Sequence, residues 1–409
     1  MIDEKKICFF LNWAREIDKY ENIFKELPKK DVFFVINDLN KNFSNHIKER
    51  EKIISIIKKR EFNFSLLSSV LGKKKYSIVI STGDLAISIR SFKGIIKFLY
   101  ARSFGALIEM LNLKILIKKK FKKDITAGGK KASIYSEKFV EKEISKKAIK
   151  FPNGLERNLK YFPNDKWLNI FDVYLTSSTI ESNLIEKKFK NKKIYFISYF
   201  RFKDDQKNNL DNLRESFSIS PLKKTIICCP TSYLMSRQKK RNIISYLDYL
   251  NTLNENFNVI VRPHPKLEIT KKEFYDLIIN SGLKIDLESD RKIKDLLLIS
   301  DLVIADFGNI ILESIYLEKK VMIYKWQEEE DFKILFEKYN GLDNQVRDNL
   351  KFKILEEKYQ KKDESEFINK IINDEKYQNK INKIKLQLFN PSTPINDPVK
   401  ILRELYEKY

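Results

Sequence analysis

Short apolar runs alternate with amphipathic segments along the first 85 residues. The runs KICFFLN, DVFFVIND and YSIVISTGD have the length of buried strands, and HIKEREKIISIIKKR has the spacing of a helix. The second half repeats this alternation, from KKTIICCPTSY through FNVIVRPHPK and DLVIADFG to VMIYKW. Strands that alternate with helices predict βαβ units in parallel sheets. We therefore expect two doubly wound, Rossmann-like α/β domains in tandem.

A polar stretch, KDDQKNNLDNLRES, lacks apolar periodicity and separates the two repeats. It is the candidate linker between an N-terminal domain of residues 1–205 and a C-terminal domain of residues 206–409, which includes the C-terminal helices. The length of 409 residues exceeds the usual size of one hydrophobic core, which also favours two domains.

The charge balance points to an anionic partner. The chain has 79 Lys and Arg against 56 Asp and Glu, a formal net charge of +23. Nucleic acid, an anionic membrane face or a phosphorylated substrate would each fit this excess. A general lysine bias explains it equally well, so only clustered charge is informative. Nucleic-acid binding is the disfavoured alternative, because the lysines are spread through predicted helices and no recognition signature is present.

Residues 90–123 form a basic cluster with apolar positions at helical spacing and a single acid, Glu109. Two interpretations stay open: an amphipathic helix on an anionic membrane face, or a helix packed on its own domain with a solvated basic end.

No window holds 18 uninterrupted apolar residues, and no signal-peptide pattern begins the chain. The three cysteines lie in apolar runs and indicate neither disulfides nor a metal site. We expect a cytoplasmic protein, peripheral on the inner face of the cell membrane.

Candidate chemistry lies where predicted strands of the second half end, because ligands of open parallel sheets bind there. Thr231 and Ser232 follow the first strand, and their hydroxyls suit a phosphate. In ArgProHisPro, residues 262–265, two prolines stiffen the turn that carries His264. Arg262 and His264 can both donate charge-assisted hydrogen bonds to phosphate. Plain turn roles for the two hydroxyl residues stay open.

A third strand end, AspPheGlyAsn at residues 306–309, leads into a predicted helix. If Asn309 caps this helix, its free backbone donors face an anion, and Gly308 lets the anion approach closely. Glu313 lies one turn along the helix, where its carboxylate suits the hydroxyls of a ribose. A purely structural cap remains the alternative for Asn309.

The order KKTIICCPTSY, RPHP and DLLLISDLVIADFGNIILESIYLEKKVMIY resembles the C-terminal domain of the CDP-glycerol glycerophosphotransferase family, the teichoic-acid and capsule polymerases. The resemblance covers residues 150–330. It implies a GT-B fold with the nucleotide donor held in the C-terminal domain. It also implies donor-phosphate contacts from His264 and pyrophosphate contacts from Asp306, Gly308 and Asn309, although the family usually has Ser-Ser at the last two positions.

Two N-terminal motifs extend the resemblance. SYFRFKD resembles the family's G-Y-P-R-x-D, with Arg201 and Asp204 in place, and FPNGLERN resembles its W-H-G-T-P-x-K loop. There Asn153 replaces the histidine that is the family's catalytic base. Asparagine takes up no proton at neutral pH, so another group is the base or the reaction differs. The carboxylate candidates are Glu156 in the same loop and, slightly favoured, Asp84 at the end of a predicted strand.

These features together predict a GT-B transferase that builds a cell-surface polymer such as teichoic acid or capsule. It would move a glycerophosphate, polyol-phosphate or glycosyl group from a cytidine-type nucleotide donor to a lipid-linked or polymeric acceptor. We expect no metal and no cofactor besides the donor, and no nucleic-acid partner. An HP pair also occurs in transferases that use CMP-sugars of the sialic acid or Kdo type, so glycosyl transfer is the first alternative. A non-catalytic family member is another.

Overall fold

The computed structural model of the chain divides into two compact units, Met1–Arg201 with Pro394–Tyr409 and Phe202–Thr393. The described residues are 6–38, 44–82, 139–152, 168–203, 210–235, 238–264, 267–288, 291–306, 309–324, 361–389 and 392–407. Among the predicted features, Asp84, Asn153, Glu156, Gly308 and the segment 90–123 lie outside the described residues. Each unit is an α/β unit on an all-parallel sheet, so the predicted fold class is confirmed.

The described part of the first unit has seven parallel strands in the order β3-β2-β1-β4-β5-β6-β7. The strands are β1 Ile7–Leu11, β2 Val32–Ile36, β3 Asn63–Leu66, β4 Tyr76–Ser81, β5 Ser145–Lys150, β6 Val173–Thr176 and β7 Lys193–Phe196. The helices are α1 Arg15–Phe24, α2 Ser44–Lys59, α3 Leu67–Val70, α4 Val140–Ile144 and α5 Thr179–Lys188. Side chains alternate between the two faces of each strand, and both faces of β1 are buried in apolar cores.

Two strands of this sheet, β3 and β5, are not predicted by the sequence pattern. β3 lies at the sheet edge and is only partly buried, and β5 is the lysine-rich SKKAIK. β5 nevertheless lies between β4 and β6, and its last residue, Lys150, is 2% exposed. Pairing with two neighbouring strands outweighs the polar composition of β5.

The described part of the second unit has five parallel strands in the order β10-β9-β8-β11-β12. They are β8 Thr225–Cys229, β9 Asn258–Val261, β10 Lys284–Ile285, β11 Leu302–Ala305 and β12 Lys320–Ile323. The helices are α6 Leu210–Ser216, α7 Ser232–Met235, α8 Lys240–Asn254, α9 Leu267–Thr270, α10 Lys272–Ile279, α11 Ile293–Ile299, α12 Asn309–Tyr316, α13 Lys361–Asn373 and α14 Glu375–Phe389.

The structure differs from the sequence expectation in the predicted linker and in the place of the last helix. Helix α6 forms inside the stretch predicted as a linker, and Leu210 and Leu213 pack against the second unit's core. The last helix, α15 Pro398–Glu407, was expected in the C-terminal domain. It instead buries Val399, Ile401 and Leu402 in the core of the first unit. An amphipathic pattern shows that a helix has an apolar face but not which core covers it.

Candidate functional site

Three candidate residues follow adjacent strands of the second sheet. The chain runs from β8 outward to β9 and β10 and then returns to β11 on the other side of β8, so the strand order reverses at β8. The strands are parallel, and their carboxyl ends lie at one edge. Thr231, His264 and Asp306 follow β8, β9 and β11 at this edge. Ligands of open α/β sheets bind at such a reversal point.

The Asp306 carboxylate joins the ends of β11 and β8. The Thr231 backbone N–H donates to Asp306 Oδ1 at 2.9 Å, and its hydroxyl donates to Oδ2 at 3.3 Å. Asp306 is 2% exposed, and the neighbouring Ser232 is buried at the start of α7. The hydroxyl that the sequence assigned to phosphate is therefore engaged by Asp306, which fixes the loop after β8.

The turn after β9 is fixed on both sides of His264. The Arg262 backbone N–H donates to the Cys228 carbonyl at 2.8 Å, which extends the pairing of β9 with β8. On the other side, the Leu267 N–H donates to the His264 carbonyl at 2.8 Å. The half-buried His264 therefore lies between two backbone hydrogen bonds, one at Arg262 and one at its own carbonyl.

The guanidinium of Arg262 has protein partners where the sequence predicted a phosphate. Its Nη1 donates to Asp286 Oδ2 at 2.8 Å, and its Nη2 donates to the Arg291 carbonyl at 2.8 Å. Asp286 and Arg291 were missed by the sequence interpretation. A usable signal existed for Asp286, because it follows the short strand β10 as Asp306 follows β11.

Helix α12 begins at Asn309, close behind the end of β11. Glu313 lies one turn along it and is 5% exposed, so it is not the solvated side chain that most helical glutamates are. This burial agrees with the apolar residues around it in the sequence. A ligand at the tip of α12 would meet backbone donors, and a buried carboxylate follows one turn later.

The pKa of Cys229 shows which charges surround the end of β8. Burial raises the pKa of this thiol from 9.0 to about 12. The Arg262 guanidinium acts against that rise in the pKa, whereas the carboxylates of Glu313, Asp306 and Asp286 add to it. One cationic and three anionic side chains from four separate segments thus act on a single strand end. Such convergence of buried charge is typical of ligand sites.

At the corresponding edge of the first sheet, a buried carboxylate holds the loop after β4. Glu16, 1% exposed on α1, accepts the Thr82 hydroxyl at 2.7 Å. It also accepts two backbone N–H groups of the loop after β1, at 2.6 and 3.1 Å. The Thr82 N–H donates to the Tyr20 hydroxyl at 3.0 Å. Helix α1 therefore fixes the chain at Thr82, two residues before Asp84, and no pattern in the sequence pointed to Glu16.

A small pocket of the first unit adjoins the altered FPNGLERN loop. Its lining residues are Lys19, Phe151, Pro152, Ser177, Ile197, Ser198, Tyr199, Phe200 and Arg201. Arg201, part of the SYFRFKD motif, donates from Nε to Asp18 Oδ2 at 2.7 Å. Across the described ranges, no group of three or more His, Cys, Asp or Glu side chains is arranged to hold a metal ion.

The family of the chain follows from a sequence match over most of the second unit. The sequence model of the family "CDP-Glycerol:Poly(glycerophosphate) glycerophosphotransferase" matches residues 165–390, more than half of the chain. The match includes the described strand ends that carry Thr231, His264 and Asp306. The chain belongs to this family. It is a transferase, and the resemblance of the motifs within residues 165–390 is confirmed. The FPNGLERN loop lies outside the matched residues, so the replacement at Asn153 stays a prediction.

Solved structures of similar fold agree with this assignment. The wall teichoic acid polymerase TagF is 14% identical with a TM-score of 0.56, covering 99% of this chain and 88% of that chain. A histidine-to-asparagine variant of TagF soaked with CDPG is 14% identical with a TM-score of 0.55, and the match again covers 99% of this chain and 88% of that chain. The S. aureus MnaA–UDP co-structure is 13% identical with a TM-score of 0.50, and the match covers 99% of this chain and 96% of that chain. These likenesses show a GT-B fold. No curated protein matches the chain at a significant level.

Proposed function

We propose that the protein moves a glycerophosphate, polyol-phosphate or glycosyl group from a cytidine-type nucleotide donor to a lipid-linked or polymeric acceptor. The product would be a cell-surface polymer such as teichoic acid or capsule. Family membership supports a nucleotide-activated donor of the CDP-glycerol kind. The observation that carries the proposal is the place of Thr231, His264 and Asp306 after three adjacent parallel strands, at the reversal point of the second sheet.

In this proposal the second unit binds the donor and stabilises the leaving group. His264 and the backbone donors at Asn309 hold the donor phosphates, and Glu313 accepts hydrogen bonds from the ribose hydroxyls. With CDP-glycerol, the acceptor hydroxyl attacks the glycerol-bearing phosphorus, and the bond to cytidine monophosphate breaks. Hydrogen-bond donors that are already in place stabilise the charge that develops on this leaving group. Neither a metal nor another cofactor is assigned to the reaction.

The binding test is a calorimetric titration of the full chain with CDP-glycerol, CMP-sugars and UDP-sugars. We expect His264→Ala to weaken binding of the cytidine donor by about tenfold to a hundredfold, the usual value of a hydrogen bond to a charged group. The matched control is His46→Ala, which changes the chain's other histidine, in helix α2. Absence of binding to every nucleotide, or equal affinity in the two variants, would disprove the proposed donor site.

The general base is assigned to the first unit, with Asp84 preferred over Glu156. Asp84→Asn would then abolish transfer while leaving donor affinity unchanged, because the donor is bound by the other unit. Glu156→Gln serves as the comparison, and loss of transfer only in this second variant would reassign the base. Asn153→His restores the family's residue, and a gain in glycerophosphate transfer would show that the asparagine limits this reaction.

Glycosyl transfer from a CMP-sugar is the second candidate, and it is favoured by the asparagine at position 153, where the motif resemblance predicts a histidine. Tighter binding and turnover of CMP-sugars than of CDP-glycerol would select it. Transfer or hydrolysis of any donor would exclude a non-catalytic role. Oligonucleotide binding without nucleotide-donor binding would instead support the nucleic-acid alternative.

The acceptor is proposed to lie at an anionic membrane surface. None of the described helices is both long and apolar enough to cross a membrane. The clustered lysines and the helical spacing of apolar residues in the sequence of residues 90–123 support membrane binding by this segment, through apolar insertion and attraction between lysines and anionic headgroups. Deletion of residues 118–123 should reduce sedimentation with anionic liposomes and spare donor binding. Unchanged sedimentation would rule out this role of the basic run.

A further inference from the structure

Asp286 lies directly after β10 and binds two arginine side chains at once. Its Oδ2 accepts a hydrogen bond from Arg262 Nη1 at 2.8 Å, and its Oδ1 forms an ion pair with Arg291 Nη1 at 3.1 Å. The Asp286 side chain is 1% exposed, against 16% for Arg262 and 12% for Arg291. A carboxylate this far from water needs partners that supply both charge and hydrogen bonds. The two arginines supply them.

The same three residues are tied to the sheet and to each other. Arg262 Nη2 donates to the Arg291 carbonyl at 2.8 Å, and the Asp286 N–H donates to the Val261 carbonyl at 2.9 Å. The guanidinium carbon of Arg291 lies 4.8 Å from the centre of the Phe217 ring. Asp286 therefore fastens the end of β10 and the start of the segment before α11 to the end of β9.

Arg262 in turn fixes the start of the turn that carries His264. Pro263 alone separates them, and its ring locks its own φ angle. The far end of the turn is closed by the hydrogen bond from the Leu267 N–H to the His264 carbonyl. Because Pro263 alone lies between the two residues, a displacement of Arg262 should displace His264. A binding group held about 1 Å out of place loses much of its effect.

We propose that Asp286 is a positioning residue of the donor site, which sets the place of His264 through Arg262. This inference rests on the function proposed above, in which His264 contacts the donor phosphates. Without the carboxylate, two guanidinium groups would remain close together in a mostly buried place and would repel each other. Arg262 would leave its present position, and the histidine turn would move with it. Asp286 therefore strengthens donor binding without contacting the donor.

The test is a double-mutant cycle on the full chain, with CDP-glycerol affinity measured by calorimetry for Asp286→Asn, His264→Ala and the combined variant. If Asp286 acts through His264, Asp286→Asn weakens binding about tenfold when His264 is present and less than about twofold when it is absent, the non-additivity expected of coupled residues. The same fold loss in both backgrounds would overturn the inference. Asp286→Glu, which keeps the charge, should recover part of the affinity.

Asp301→Asn is the matched control for general destabilisation. Asp301 lies at the amino edge of the same sheet, where it accepts the Thr225 N–H at 2.8 Å and pairs with Lys224. We expect Asp301→Asn to lower the melting temperature and to leave CDP-glycerol affinity unchanged. If it weakens binding as much as Asp286→Asn at equal loss of stability, the positioning role is wrong.

Two further outcomes are distinguishable. If Asp286→Asn does not fold, Arg262→Gln takes its place in the cycle, since it removes the link between the carboxylate and the turn, and the same non-additivity is expected. Absence of nucleotide binding by the unaltered protein would overturn the proposed function and this inference together. Intact binding with additive losses would overturn only the inference.

Discussion

Asp306 and Thr231, which are 75 residues apart in sequence, join the ends of β11 and β8 through two hydrogen bonds. One comes from a backbone N–H and one from a hydroxyl, and both acceptors belong to a single buried carboxylate. A carboxylate 2% exposed is costly unless it accepts such bonds. This pairing joins the carboxyl ends of β8 and β11, at the edge of the sheet where the donor is proposed to bind.

Replacing the carboxylate should therefore cost more than removing the hydroxyl. We expect Asp306→Ala to lower the free energy of unfolding by about 1–3 kcal/mol, because a buried N–H and a hydroxyl lose their acceptor. Thr231→Val removes only the hydroxyl bond and should cost about 0.5–1.5 kcal/mol. Urea denaturation measures both changes. Equal losses would show that the backbone bond contributes nothing.

Glu313 should make the donor site distinguish ribose from deoxyribose. Its buried carboxylate on α12 is proposed to accept hydrogen bonds from the ribose hydroxyls, so CDP should bind tighter than 2′-deoxy-CDP by about tenfold. In Glu313→Ala this ratio should fall to near one. Competition titrations of the two nucleotides measure it. Glu318→Gln, at an exposed position after α12, is the control, and an unchanged ratio in Glu313→Ala would refute the assignment.

Stability should decline at alkaline pH because buried thiols and phenols resist ionisation in the folded state. Burial raises the pKa of Cys229 from 9.0 to about 12 and raises the pKa of Tyr76 from 10.0 to about 12. The contribution of the Cys229 thiol to the free energy of unfolding is fully present below pH 9. It decreases between pH 9 and 12, where the unfolded chain has lost the proton that the folded chain retains, by about 1.4 kcal/mol per pH unit.

Urea denaturation at a series of pH values above 9 tests this linkage. Cys229→Ala removes one such thiol, so its free energy of unfolding should fall less steeply with pH than that of the unaltered protein. Parallel pH profiles for the two proteins would show that Cys229 retains no extra proton in the folded state.

Glu16 should support transfer from a distance by holding the loop after β4. Glu16→Ala leaves three hydrogen-bond donors without their acceptor, and we expect it to lower the free energy of unfolding by about 2–4 kcal/mol. The proposed base Asp84 lies two residues beyond Thr82, so the transfer rate should fall while donor affinity in the second unit is retained. Kinetics and calorimetry on the same preparation separate the two effects.

Glu21→Ala is the control on the same helix. Glu21 forms ion pairs with Lys25 at 2.8 Å and Arg60 at 3.2 Å. The Glu21→Ala variant should have a lower free energy of unfolding, and the transfer rate of the folded protein should be unchanged. A proportional loss of rate in this variant would show that the effect of Glu16 is only general destabilisation.

Much of the fold was predictable because its signals are local. The apolar runs that became β1, β2, β4, β8, β9 and β11 are each defined by a few consecutive residues. The strands β3 and β5 were missed because their pairing with neighbours, not their own composition, makes them strands. The linker prediction failed at α6 for a related reason. Leu210 and Leu213 find an apolar surface that a sequence pattern does not show.

The sequence by itself determined most of the strands, the parallel α/β class and the family, because periodicity and motifs depend on residues that are neighbours in the chain. It also predicted that the chemistry lies at the strand ends of the second half. Only the tertiary structure decided what each of those side chains contacts. Sheet order brought Thr231 to Asp306 and Arg262 to Asp286, across separations of 75 and 24 residues. Such partners are set by which strands become neighbours, and that choice depends on packing over the whole unit.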